Sequence, residues 1–246
     1  MINPIDIEVD LDGDVAAALT RLETTGRPSI DRRVWFAEPR PHGGATSTLL
    51  SNGIIIRLRS GPSDDLTVTL CPCLPEQLLG SWSASFTDVA LRYRVDENWN
   101  GERRELSASV VSERPAGALH DATVLGTDVT TDLAPAQRRF LVSCTPPGVA
   151  IDRLLAMGPI ASTQWSNLRV GDLAVDAQRW RIADLDLLEL SVRVTPEHGE
   201  SYTALRARAL DRQRGFEDAV RRFGLRIATG APGTERVIAA ARSVRR

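Results

Sequence analysis

Gly53-Ile54-Ile55-Ile56-Arg57-Leu58-Arg59-Ser60 decides how the chain is to be read. Ile54, Ile56 and Leu58 fall on one parity and Arg57 and Arg59 on the other, the alternation of a strand with one apolar and one cationic face. Residues two apart on a strand project to the same side about 7 Å apart, so the two guanidinium groups sit side by side.

The same period recurs on both sides of this stretch. Towards the N-terminus, Ile5-Asp6-Ile7-Glu8-Val9-Asp10-Leu11 sets aliphatic odd positions against acidic even ones, and Asp31 to Phe36 follows. Towards the C-terminus, Leu66–Cys71, Val89–Asp96, Glu105–Val111, Ala174–Ile182 and Leu185–Val194 alternate likewise. Arg92 and Arg94 share a parity with Asp96, Arg179 and Arg181 flank Trp180, and Glu189, Ser191 and Arg193 oppose Leu188, Leu190 and Val192. Arg139–Thr145 reads as one more strand and Ala150–Met157 as a short helix stopped by Gly158-Pro159; Asp121–Asp132 reads as loop or weak helix. Asp14 can cap a helix through Val15, Ala18, Leu19 and Leu22. Ser201–Phe223 carries Leu205, Ala209, Phe216, Val220 and Phe223 at helical spacing, and Pro232 can open a last helix through Val237, Ile238 and Ala241. Regular strand–helix–strand crossovers are missing, which favours an antiparallel barrel over a doubly wound sheet.

Composition narrows the function. The 246 residues are 42% hydrophobic and 25% charged, ordinary for a globular protein. No apolar run approaches the ~20 residues of a membrane span, and the acidic N-terminus does not resemble a leader. Three cysteines that cannot all pair suggest reduced thiols, so the expected compartment is cytoplasmic. The net charge of −2 gives no overall attraction for nucleic acid. All 30 basic residues are arginine. A GC-rich genome is sufficient cause, but the consequence is chemical: no Schiff base or neutral amine is available, only planar, permanently charged forks.

Two readings of the polar faces stand side by side. Turned inward in a closed barrel, they would line a wet passage with seven arginines (Arg57, Arg59, Arg92, Arg94, Arg179, Arg181, Arg193) and five carboxylates (Asp6, Glu8, Asp10, Asp96, Glu189), a set unstable as a dry core but suited to water, metal and a polyanion. Turned outward, they are a solvated surface with ion pairs worth ~0–1 kcal/mol each. Cys71-Pro72-Cys73 lacks the second pair or histidine that a zinc site needs, and Cys144 reads as a small buried apolar residue. His42, His120 and His198 fall in expected loops, so no Ser-His-Asp constellation can be built. Trp165 is weighed as a cap that stacks on a ring, against a core tryptophan.

Taken in order, these segments resemble the CYTH superfamily of triphosphate tunnel metalloenzymes. Asp6-Ile7-Glu8-Val9-Asp10 stands where members carry Glu-x-Glu-x-Lys, and Arg33-Val34-Trp35-Phe36 resembles their aromatic strand. Gly53 to Arg59 resembles the Leu-Arg-x-Arg signature, Leu66–Cys71 the Leu-Thr-Leu-Lys strand, and Leu187–Ser191 the late Phe-x-Glu-x-Glu strand; Phe223-Gly224 precedes the last loop. The chain departs from the pattern at Asp10, Cys71 and Ser191, and has Thr234-Glu235-Arg236 where a lysine is expected. The resemblance implies one α+β domain over residues 1–246, mostly antiparallel, with an eight-stranded closed or nearly closed tunnel barrel and peripheral helices. It implies Mg²⁺ or Mn²⁺ on Asp6, Glu8 and Glu189, with Glu8 and Glu189 catalytic. The seven arginines would bind an anionic small-molecule substrate, without nucleic acid or membrane, and a homodimer is left open. The implied activity is metal-dependent hydrolysis of a phosphate ester, polyphosphate or triphosphate. The alternatives are an anion-binding protein that has lost the chemistry, and a barrel repurposed as a lyase or cyclase.

Overall fold

A computed structural model of the chain describes residues 2–39, 49–89 and 91–244. In chain order the elements are β1 (Ile5–Asp12), α1 (Val15–Arg21), β2 (Ile30–Pro39), β3 (Ile54–Ser60), β4 (Asp64–Leu70), β5 (Phe86–Asp88), β6 (Leu91–Asn100) and β7 (Arg103–Arg114), then α2 (Pro135–Cys144), β8 (Leu154–Val170), β9 (Leu173–Ile182), β10 (Leu185–Val194), α3 (Tyr202–Arg222), β11 (Arg226–Ile227) and α4 (Gly233–Val244). The strands pair in the order β11-β1-β10-β9-β8-β2-β3-β4-β7-β6-β5, and β1 also pairs with β6. That last pairing, a parallel one, closes the circuit. Of eleven strands, only β5 and β11 hang outside it; the other nine form a closed, mostly antiparallel barrel in their connectivity. The fold is α+β. Among the described residues no helix is long and apolar enough to cross a membrane.

Contacts group the chain into two compact units, each discontinuous in sequence. The first holds residues 1–31, 96–104 and 161–240; the second holds 32–95, 105–160 and 241–246.

In the first unit, the odd residues of β1 (Ile5, Ile7, Val9, Leu11) join Leu188, Leu190, Val192 and Val194 of β10 and Val175 and Ala177 of β9 in one buried cluster. Leu205, Ala209, Phe216 and Val220 of α3 and Val15, Ala18 and Leu19 of α1 cover that side. Both helices start on side-chain caps: Asp14 accepts from the Ala17 amide at 3.0 Å and Ser201 from that of Ala204 at 3.2 Å.

The second unit repeats the plan. Ile54, Ile56 and Leu58 of β3, Leu66, Val68 and Leu70 of β4 and Ala108 and Val110 of β7 form a second cluster with Tyr93 and Val95, under Phe140, Leu141 and Cys144 of α2. Each such side chain gains about 1.5–3 kcal/mol by leaving water, so the apolar side of each sheet is fixed by helix cover. The other side is then left to the charged residues.

Two elements differ from the sequence reading. Arg139–Thr145 is no strand but the end of α2. Pro135 opens that helix, the Gln137 side chain accepts from the Ala134 amide at 3.0 Å, and Gln137, Phe140, Leu141 and Cys144 form its buried stripe at helical spacing. Ala150–Met157 is no helix, because β8 starts at Leu154 and runs through Gly158-Pro159 to Val170. Gly158 is there for close approach: a Cβ on it would lie 2.7 Å from both Trp35 Cδ1 and the Val34 carbonyl oxygen. Among the described residues nine strands stand in the circuit, where eight were expected.

Gln137 is fully buried and donates through Nε2 to the carbonyls of Leu66 (2.7 Å) and Val110 (3.0 Å), pinning α2 to β4 and β7. Gln137→Leu removes the donor and leaves buried carbonyls without it. Urea denaturation of this variant should show a loss of about 2–4 kcal/mol, from about 1–3 kcal/mol per orphaned group.

Candidate functional site

Strand register assigns each expected residue to a side. In the second unit Arg57 lies across from Phe36 on β2 and Thr67 on β4, and Arg59 across from Val34 and Asp65. Thr67 and Thr69 in turn face Val111 and Ser109 on β7. Arg57, Arg59, Asp65, Thr67, Thr69 and Ser109 therefore share the side opposite the apolar cluster. Arg32 joins them from β2, with Nη1 3.8 Å from Asp65 Oδ2. Arg92 and Arg94 lie opposite the core residues Tyr93 and Val95, and Arg92 donates to Glu113 at 2.9 Å. Five arginines thus share one face, four of them expected.

The countercharges on this face are fewer and specific. Asp65, itself buried, takes both contacts from Arg59 Nε, at 2.8 and 3.0 Å. The Nε atoms of Arg32 and Arg92 are buried with no hydrogen-bond partner among the described residues. A buried guanidinium N–H without an acceptor is costly. Cys71 donates its thiol to Glu105 Oε2 at 3.6 Å. Burial pushes the Cys73 thiol up to about 12 and that of Cys144 up to about 11, so neither offers a thiolate at neutral pH. Glu38, which the sequence did not single out, is buried; it accepts from the Leu49 amide at 2.9 Å and pairs with Arg242 of α4.

The first unit carries the carboxylates. Across β1 and β10, Asp6 faces Arg193, Glu8 faces Ser191 and Asp10 faces Glu189. β6 adds Asn98 beside Asp6 and Asn100 beside Glu8. Arg193 is clamped by two carboxylates, Asp6 and Asp96. Asp6, expected as a metal ligand, and Arg193, expected on substrate, thus meet in one ion-pair cluster with Asp96. Among the described residues no three His, Cys, Asp or Glu side chains gather closely enough to hold a metal. Glu8 and Glu189 stand diagonally across the β1–β10 ladder. Two carboxylates fit Mg²⁺ or Mn²⁺ only where phosphate oxygens and water complete the shell, the usual habit of Mg²⁺.

Arg179 and Arg181 are a correction. Arg179 lies across from Leu188 of β10, a core residue, while the Glu189 side of β9 is occupied by Gln178. Both arginines thus project from the helix-covered side, on the parity of Val175 and Ala177. Arg179 is held there by Asp186, Nε donating at 2.8 Å. Trp165 also belongs to that side, buried in the first unit's core. Of the histidines, His120 and His198 are exposed and His42 lies outside the described residues.

Asp10, where the resemblance led to the expectation of a lysine, is built into the fold. Its side chain is 4% exposed. Oδ2 accepts from the Gly233 amide at 2.9 Å, the first of α4, and from Asn100 Nδ2 at 3.3 Å, while Oδ1 has no partner among the described residues. A carboxylate at a helix N-terminus satisfies an orphan amide and meets the positive end of the dipole. Burial raises the Asp10 pKa above the ordinary value, against the lowering pulls of Gly233, Asn100 and Arg236. Arg236 therefore attends Asp10, and the charge reversal has a structural use.

No family model matches the chain, and no curated protein matches it. Among solved structures, the putative adenylyl cyclase HpAC1 from Hippeastrum, described as having a dominant triphosphatase activity, is 14% identical, with 97% of this chain and 95% of that one covered at a TM-score of 0.52. PH1819 from Pyrococcus horikoshii is 9% identical over 98% and 99% of the two chains, at a TM-score of 0.45. A putative adenylate cyclase from Vibrio parahaemolyticus is 11% identical over 98% and 100%, at 0.41. The likeness to HpAC1 covers nearly the whole of both chains and shows a shared fold at low sequence identity.

Gly233 leaves no room for a side chain, since a Cβ would sit 2.5 Å from Asp10 Oδ1 and 2.7 Å from Leu187 Cδ2. Gly233→Ala should lower the thermal midpoint by several degrees, the effect of about 1–3 kcal/mol of overpacking; an unchanged midpoint in calorimetry contradicts this packing. The raised Asp10 pKa fixes a sign as well. A group whose pKa is higher folded than unfolded contributes stability at low pH and loses it as pH rises through the folded value. The stability of Asp10→Asn relative to the parent should therefore climb from pH 4 to pH 8 in paired urea titrations.

Proposed function

We propose that the chain binds a phosphate-bearing small anion and hydrolyses it with a divalent metal, as a divergent CYTH-like phosphohydrolase. The observation that carries this reading is the arginine face of the second unit: Arg32, Arg57, Arg59, Arg92 and Arg94 on one side, two of them with buried Nε donors lacking an acceptor among the described residues. Guanidinium forks pair with phosphate oxygens through two parallel donors, and low local dielectric strengthens the contact. In this reading Arg57, Arg92 and Arg94 bind phosphate oxygens, while Arg59, shared with Asp65, fixes the face. Glu8 and Glu189 hold Mg²⁺ or Mn²⁺ together with the substrate's own oxygens. The ion, once bound, supplies Lewis acidity at the phosphoryl group and a more acidic water. The arginines absorb charge that develops on the transferring group.

The ion pair of Arg193 with Asp6 and Asp96 favours a second reading, an anion binder without turnover, because it withdraws one expected ligand and one expected clamp from the reaction.

Phosphate release from tripolyphosphate, ATP, thiamine triphosphate and sugar phosphates, with Mg²⁺ or Mn²⁺, separates the two. Hydrolysis is expected to fall at least about 100-fold in Glu8→Gln, the scale of a lost charge-stabilising group. Turnover at background in the parent protein, with binding intact, leaves the second reading. Thermal-shift titration with tripolyphosphate should show stabilisation that Arg57→Ala weakens about tenfold in apparent Kd and that rising salt erodes. Absence of any anion-induced shift overturns both.

A further inference from the structure

Helix α2 of the second unit carries two stripes. Gln137, Phe140, Leu141 and Cys144 are buried. Arg138, Leu141, Val142 and Thr145, at i, i+3, i+4 and i+7, instead line a groove of about 450 Å³. Leu133 before the helix and Pro146, Val149 and Ile151 after it continue the apolar lining, so the whole groove lies between residues 130 and 151, inside that unit. Val149 and Ile151 pack against the core cluster, whereas Val142 is 85% exposed. Among the described residues that line it, one is charged, Arg138, and none is a carboxylate.

Arg138 is held in place without being neutralised. Its Nε donates to the Leu133 carbonyl at 3.1 Å, and Nη2 to those of Thr130 and Thr131 at 2.9 and 3.3 Å. Three carbonyls thus fix the plane of the guanidinium, and among the described residues none of these bonds uses Nη1. The carboxylates on either side of Thr130 in the chain are turned to other partners. Asp128 accepts from the Thr130 and Leu154 amides, each at 2.9 Å, and Asp132 pairs with Arg114 at 3.6 Å.

We infer that this groove binds an apolar monocarboxylate, a medium-length acyl chain whose carboxylate meets Arg138 Nη1 and whose tail lies along Val142, Val149 and Ile151. The volume is that of a small-molecule site, and the lining has the usual form of one, apolar surface with a single orienting polar group. One oriented guanidinium without a countercharge matches one negative charge through a charge-assisted hydrogen bond. A polyphosphate, with several charges, meets too few cations here, and a neutral ligand leaves the guanidinium unmatched. The helix from Arg138 to Thr145 rises about 10 Å, which gives a tail room beside the head. The inference goes beyond the phosphohydrolase reading and does not rest on it, because α2 covers the apolar side of the second unit's sheet and Arg57 and Arg59 lie on the other.

The test uses the full chain and three probes: octanoate, 1-octanol (the same tail without the charge) and acetate (the head without the tail). Octanoate should move the Val142 methyl signals in a ¹H–¹³C correlation spectrum, identified by their loss in Val142→Gln. Isothermal titration should show 1-octanol binding about tenfold weaker than octanoate, and acetate not measurably. Arg138→Gln should weaken octanoate about tenfold and leave 1-octanol unchanged. Where that variant does not fold, the exposed position 142 decides. Val142→Glu should weaken octanoate about tenfold more than Val142→Gln does, with 1-octanol binding both alike. Val142 methyl signals that octanoate leaves in place overturn the inference, as does 1-octanol binding as tightly as octanoate. Equal weakening of both probes by Arg138→Gln, or an equal effect of the two Val142 variants on octanoate, also overturns it, since the guanidinium then has a structural role alone.

Discussion

The constraint on which the rest depends is the two-sidedness of a strand whose apolar side is already taken. Once α1 and α3 cover the odd residues of β1, and α2 covers the even residues of β3 and β4, every register position has only one side left for charge. Cross-strand pairing carries the choice from strand to strand, because partners in register share a side. Asp6, Glu8 and Asp10 are thereby committed together, as are Arg57 with Arg59. A slip of one residue would drive a whole ladder of charges under a helix, at several kcal/mol for each unpaired group.

That constraint explains why charge separates by unit. In the second unit the polar side collects arginines in excess of carboxylates, and each carboxylate that is present has a structural task. Asp65 fixes Arg59, Glu113 meets Arg92, and Glu38 ties down the start of β3's approach and Arg242 of α4. In the first unit the polar side collects carboxylates, and its one arginine on β10, Arg193, is held by two of them. Asp10 fits the same economy. A lysine there would bring a cation to the N-terminal amide of α4, where the helix dipole is also positive; an aspartate removes that conflict. The price is a buried carboxyl whose charged form is disfavoured, which eases its position across from Glu189.

Much of this was legible before any coordinates. Strict alternation in β1, β3, β4, β6, β7 and β10 declared both the strands and their two sides, and Asp14 and Ser201 declared two helix starts. What stayed hidden did so for physical reasons. In α2, the helical stripe of Gln137, Phe140, Leu141 and Cys144 includes a glutamine that is buried only because β4 and β7 offer it carbonyls. In β8, Gly158-Pro159 looks like a stop, and only the proximity of Trp35 shows why glycine stands inside a strand. Arg32 appeared as one of two adjacent arginines, and parity alone could not rank it above Arg33 without Asp65 opposite.

Arg179 and Arg181 show where local pattern and tertiary structure part. Two arginines two apart around a tryptophan read as a polar face with one core residue between them. Yet Val175 and Ala177 precede them on the same parity, and those two are in the core. The alternation of β9 is therefore not apolar against polar along its length. Its helix-covered side starts aliphatic and ends cationic, where Arg179 meets Asp186, and its other side carries Asp176, Gln178 and Trp180. Guanidinium stems tolerate such a margin, since their methylenes pack on apolar neighbours while the charged end reaches solvent or a carboxylate. A tryptophan facing a polar surface instead presents a ring and one donor. The exchange changes which groups that surface presents without altering a single strand register.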